Sequence, residues 1–127
     1  MTGTDTNLVV RFLTRDIENQ AQKVKELLEK GEILYINEIV LAEMYWVLVH
    51  VYGYSRIDFI RAIDMLLETE GFRFFNNNIV RNALADYIHT TVVFSDCLIH
   101  RINMGKNLGT LTFDKKASRL EEMHLLT

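Results

Sequence analysis

Hydrophobic positions along this chain switch between helical spacing and short apolar runs, and the switches mark out its elements. Between residues 16 and 30, Ala21, Val24, Leu27 and Leu28 fall on one face and Gly31 follows as a stop, which predicts a helix. A second helix is predicted over 39–52, ended by Gly53. Ser55 then caps a third, whose inward face is Phe59, Ile60, Ile63, Leu66 and Leu67. Shorter helices are expected at 7–13, 78–89 and 95–104, with a helical turn at 117–119. The apolar runs at 33–36, 72–75 and 108–112 read as strands, with a weak opening strand at 2–5, where Gly3 is a poor strand residue, and a last edge strand at 124–126. Strands alternating with helices imply an α/β protein: a mostly parallel central sheet of about four to five short strands flanked by helices. In such sheets the functional crevice lies beyond the carboxyl ends of the strands.

At 127 residues the chain is expected to be one domain, spanning 1–127. No apolar stretch approaches the ~20 residues that span a bilayer, and the opening Met1-Thr2-Gly3-Thr4-Asp5 has no signal-peptide pattern. The single cysteine, Cys97, cannot form an internal disulfide and suits a reducing cytoplasm. A net charge of −3 argues against a generic polyanion binder. It leaves room for a nucleic-acid enzyme whose acids are neutralised by metal.

Charge next singles out four acids, Asp5, Glu43, Asp96 and Asp114, each inside or at the edge of an apolar run where burial of charge is costly. Glu43 sits in Ile39-Val40-Leu41-Ala42-Glu43-Met44-Tyr45-Trp46-Val47-Leu48-Val49, with no Lys or Arg three or four residues away, and is expected to be a buried carboxylate in need of a cation. Asp96 is the only carboxylate of Thr91-Val92-Val93-Phe94-Ser95-Asp96-Cys97-Leu98-Ile99, and Asp114 closes Leu108-Gly109-Thr110-Leu111-Thr112-Phe113. Asp5, Asp96 and Asp114 also stand near helix starts, where Asp is a preferred cap worth about 1 kcal/mol, so capping is the competing reading for each. If the fold gathers the four, they form an oxygen-only pocket suited to a hard divalent cation.

Other candidates weigh less. His100 lies one helical turn after Asp96, but a lone helix histidine is usually structural or exposed. Cys97 and His100 are half a zinc site without a second pair. Ser95 has no triad around it, and Gly105 and Gly109 make no phosphate loop. A phospho-acceptor receiver would need an acidic pair after the first strand and an Asp after the third. Asp5 has no adjacent acid, and Phe74-Phe75-Asn76-Asn77-Asn78 has no carboxylate.

Four motifs in order and at matching spacing resemble the PIN-domain family, and within it the VapC-type toxins of toxin–antitoxin pairs. They are Asp5-Thr6-Asn7-Leu8-Val9-Val10-Arg11-Phe12-Leu13, Leu41-Ala42-Glu43-Met44-Tyr45-Trp46-Val47-Leu48, Phe94-Ser95-Asp96-Cys97-Leu98-Ile99 and Leu111-Thr112-Phe113-Asp114. The family's acidic quartet maps onto the acids already isolated. Many relatives carry a further Asp where this chain has Val93. The resemblance implies a metal-dependent endoribonuclease using Mg²⁺ or Mn²⁺. Asp5 and Asp96 would be primary ligands, Glu43 and Asp114 would act through water or orient the nucleophile, and Thr6, Asn7 and Thr112 would hold the carboxylates. It also implies an RNA substrate, a cognate antitoxin and a homodimer, with Arg11, Arg15 and Lys115 edging an RNA groove. A catalytically silent PIN-like module that binds RNA or protein is the alternative, favoured by Val93 and disfavoured by the intact quartet. A DNA nuclease also fits, since nothing in the chain reads the 2′-hydroxyl.

Overall fold

Leu34 and Ile36 point the same way from the strand β2 (Leu34–Ile36), both buried, while Tyr35 between them is half-buried. That alternation suits the middle of a sheet, and β2 pairs in parallel with β1 (Thr2–Gly3) on one side and β3 (Phe72–Phe74) on the other. This computed structural model describes residues 1–127 and divides into two compact units, Met1–Phe75 and Asn76–Thr127.

In the first unit, α1 (Thr6–Thr14) packs with α2 (Glu18–Glu29), and α3 (Glu38–Trp46) continues into a π-helical turn at Val47–Val51. The sequence predicts one helix over 39–52, whereas the ladder widens at Val47. The β-branched Val47, Val49 and Val51 alternate through this stretch, and such side chains crowd a regular helix. Tyr52 N–H donates to Val47 O at 3.1 Å and closes the wide turn. The helix α4 (Arg56–Glu68) begins with a capping box, Asp58 N–H donating to Ser55 Oγ while Ser55 N–H donates to the Asp58 carboxylate. Its Phe59, Ile63 and Leu66 are fully buried, and Phe59 meets Tyr45 edge-to-face at 5.0 Å. Leu27 departs from the sequence expectation and is exposed, while Ala21 and Val24 are buried. Gly71 leads into β3 with φ +102°, and a Cβ there would lie 2.7 Å from Leu28 Cδ2, so this turn requires glycine.

The second unit holds α5 (Asn77–His89), α6 (Phe94–Gly105), β4 (Thr110–Thr112), a 3₁₀ turn at Ala117–Arg119, and β5 (Met123–Leu125). Phe94 at the start of α6 meets Tyr87 of α5 edge-to-face at 5.8 Å, and both are buried. Arg101 of α6 grips Asp86 of α5 with two hydrogen bonds of 2.7 and 2.9 Å. The strands β4 and β5 pair in parallel. All five strands are therefore short and parallel, as the α/β reading requires, but they form a three-stranded and a two-stranded sheet where the sequence suggested one.

A polar knot fixes the turn after α1. Tyr52 Oη donates to Asp16 Oδ2 at 2.6 Å, Thr14 Oγ1 donates to Asp16 Oδ1 at 3.0 Å, and Arg11 Nη1 reaches both Tyr52 Oη and Asp16. The Tyr52 bond, foremost, holds the Asp16 carboxyl below its ordinary value. The unfolded chain then binds the proton more readily, so this contribution is present above the ordinary carboxylate range and is lost as pH falls through the lowered value. Asp16→Asn should lower the melting temperature at neutral pH, with the gap closing in acid. A gap that stays constant with pH would mean that the charge of Asp16 adds nothing.

Candidate metal and catalytic site

The helix α6 starts without a side-chain cap, because its N-cap is Val93. Asp96 lies in the first turn, half-buried, with no hydrogen bond or ion pair to its carboxylate. Burial first, and the nearby charge of Asp114 second, push the Asp96 carboxyl above its ordinary value. The capping explanation therefore fails for Asp96. It holds for Asp114, whose Oδ1 accepts from Lys116 N at 2.8 Å and Ala117 N at 3.4 Å at the start of the 3₁₀ turn. Thr112 Oγ1 in turn accepts from Asp114 N at 3.0 Å and fixes that backbone.

The other two acids belong to the first unit. Asp5 is exposed just beyond β1 and caps α1, its Oδ1 accepting from Leu8 N at 2.9 Å. Glu43 is exposed too, which corrects the sequence expectation of a buried carboxylate. The helix α3 buries Val40, Leu41, Met44 and Tyr45 and turns Ile39, Glu43 and Trp46 outward. The run around Glu43 looked like core because Ile39 and Trp46, themselves 66% and 58% exposed, carry apolar side chains on the solvent face. Glu43 has no cationic partner, so its lack of pairing stands while its burial does not.

The supporting residues divide. Thr6 opens α1 and is half-buried. Asn7 is exposed and, with Leu8, Arg11, Gln20, Lys23, Val24 and Leu27, lines a groove of about 260 Å³ between α1 and α2. The Arg11 guanidinium is committed to Gln20, Asp16 and Tyr52. Arg15, in the left-handed region at φ 54°, pairs with Glu18. Lys115 is exposed next to Asp114 and carries no ion pair.

No three His, Cys, Asp or Glu side chains form a group that could hold a metal ion. Asp96 and Asp114 lie in one unit, near enough for the charge of Asp114 to act on Asp96, and Asp5 and Glu43 belong to the other unit. Protein-bound Mg²⁺ typically takes one or two carboxylates and keeps several waters, so the Asp96–Asp114 pair fits a hard cation of that kind. A softer metal fits poorly. The Cys97 thiol is buried, and both ring nitrogens of His100 are engaged, Nδ1 with Thr110 Oγ1 at 2.8 Å and Nε2 with Glu121 O at 2.6 Å. Sequence reading placed His100 one turn from Asp96 but gave no sign of these partners.

The PIN domain family model matches residues 4–123, which include all four acids, and the chain belongs to the PIN domain family. It is 31% identical over 97 residues to the VapC ribonuclease of Aquifex aeolicus (strain VF5), covering 74% of this chain and 72% of that protein. The crystal structure of VapBC2 from Rickettsia felis bound to a DNA fragment from their promoter overlays 98% of this chain and 96% of that one. The identity there is 20% and the TM-score 0.41.

Because the folded Asp96 carboxyl titrates above the unfolded value, its contribution favours the fold at low pH and is lost as pH rises through the folded value. In chelator at neutral pH, Asp96→Asn should melt no lower than the wild type. Carboxyl-detected NMR of the metal-free protein should show Asp96 ionising late, and Asp114→Asn should bring it part of the way down. Asn still caps, so the 3₁₀ turn survives that substitution. An Asp96 titration unchanged by Asp114→Asn would refute the coupling of the two carboxylates.

Proposed function

We propose that this chain is an endoribonuclease that hydrolyses RNA phosphodiester bonds with Mg²⁺ or Mn²⁺, and that it is the toxin of a toxin–antitoxin pair. Asp96 carries the reading: a half-buried carboxylate with no hydrogen-bond partner, beside a second acid, in a PIN-domain chain related to a VapC ribonuclease. Two like charges left unpaired are costly unless a cation joins them. A divalent cation, when bound, supplies an activated water and offsets the charge that builds on phosphorus.

Asp5 and Asp96 are the primary ligands in this proposal, with Glu43 and Asp114 acting through water. Asp114 keeps one oxygen for that task, since its cap uses Oδ1 alone. Glu43, exposed and unpaired, orients the attacking water. Thr112 holds the Asp114 backbone, while Thr6 and Asn7 follow Asp5 at the start of α1. Lys115 is the readiest phosphate contact of the three cations named, because Arg11 and Arg15 would first have to leave Asp16 and Glu18. A cognate antitoxin and a second copy of the chain are the protein partners, in the cytoplasm; no helix is long and apolar enough to cross a membrane.

Purified protein should cut a mixed labelled RNA pool with Mn²⁺ or Mg²⁺, and chelator should abolish the cutting. Asp96→Asn should reduce it by more than the ~10–100-fold typical of an outer-shell partner. Full activity in chelator, or an Asp96→Asn protein that cuts like the wild type, would overturn the proposal. Failure to cut together with failure to bind Mn²⁺ by calorimetry would point to a silent binding module.

A further inference from the structure

His100 is the one polar side chain in the buried core, 1% exposed, and its bonds fall on the elements that carry Asp96 and Asp114. Glu121 O can only accept, so Nε2 donates to it at 2.6 Å. Nδ1 bonds Thr110 Oγ1 at 2.8 Å, and the same hydroxyl oxygen accepts from Asn103 Nδ2 at 3.0 Å. A chain of hydrogen bonds therefore joins Asn103, Thr110 and His100 to the carbonyl before β5. Two residues of α6, one side chain of β4 and the approach to β5 are locked together.

The spacing of these contacts matches that of the acids. On α6, Asp96 precedes His100 by four residues, about 6 Å along a helix and on the same face. On β4, Thr110 precedes Thr112 by two residues, about 6.6 Å along a strand and again on one face. Thr112 in turn holds the Asp114 backbone. His100 and Asn103 both bond Thr110, so α6 is tied to β4 one helical turn from Asp96 and two strand residues from Thr112. The His100–Thr110 contact thus fixes the helix that carries Asp96 to the strand that leads to Asp114.

We propose that His100 is a positioning residue for the Asp96–Asp114 pair, holding α6 against β4 so that the two carboxylates stay close enough to share a cation. The inference rests on the nuclease reading and adds to it a residue that touches neither metal nor RNA. A buried histidine that served packing alone would affect stability and leave the metal affinity of the folded protein untouched.

The test uses the full chain with Mn²⁺ alone as the probe. Calorimetry would compare wild type, His100→Leu, His100→Asn and Thr110→Val, with melting curves to establish that each is folded at the assay temperature. His100→Leu should weaken Mn²⁺ binding by about tenfold or more, the size expected when an outer-shell partner is lost. His100→Asn, which can still reach Thr110, should recover most of that affinity. In RNA cleavage, His100→Leu should lower kcat and leave KM nearly unchanged. If His100→Leu does not fold, Thr110→Val removes the same contact with little change of shape and should show the same loss. Folded variants with wild-type Mn²⁺ affinity would overturn the positioning role and leave the nuclease reading intact. A wild type that binds no Mn²⁺ would overturn both.

Discussion

The half-buried Asp96 carboxylate, without a partner and with the charge of Asp114 nearby, is the constraint on which the second unit turns. Neither makes an ion pair, and Asp96 is half-buried. Left to itself, such a group would turn towards water, away from its neighbour. The surrounding bonds oppose that. Thr112 pins the Asp114 backbone, the 3₁₀ turn uses one of its oxygens, and the Arg101–Asp86 pair anchors α6 to α5. The first turn of α6 adds a modest favourable field for a negative charge at Asp96.

The first unit answers a different demand. Its parallel sheet is covered by helices whose apolar faces interlock through Tyr45, Phe59, Phe12 and Phe72. Asp5 and Glu43 stand on the surface of that core, one as a helix cap and the other on an outward helix face. Exposure leaves both carboxylates hydrated, unlike Asp96.

Much of this was legible from local pattern. The helical periods, Gly31 as a stop, Ser55 as a cap and the short strands all depend on residues close in sequence, and the elements fall within a few positions of expectation. What failed depended on distance or on a finer period. Glu43 was judged by the composition of its run, when the 3.6-residue period decides burial and places it beside the exposed Ile39 and Trp46. The division into two sheets rests on pairing between distant strands. The partners of His100 lie 10 and 21 residues away, beyond any spacing rule. The four acids stood out because charge within apolar runs is rare, and that signal needs no knowledge of the fold.

Trp46 is the chain's only tryptophan, and it sits at the end of α3, more than half exposed, with its ring 5.3 Å from that of His50. Native fluorescence therefore comes from a single indole in a wet setting, on the Met1–Phe75 side. Far-ultraviolet dichroism, by contrast, sums the helices of both units. Followed together through denaturant, the two signals give the chain an internal gauge of cooperativity: superimposed curves mark one folding unit, and separated ones mark two.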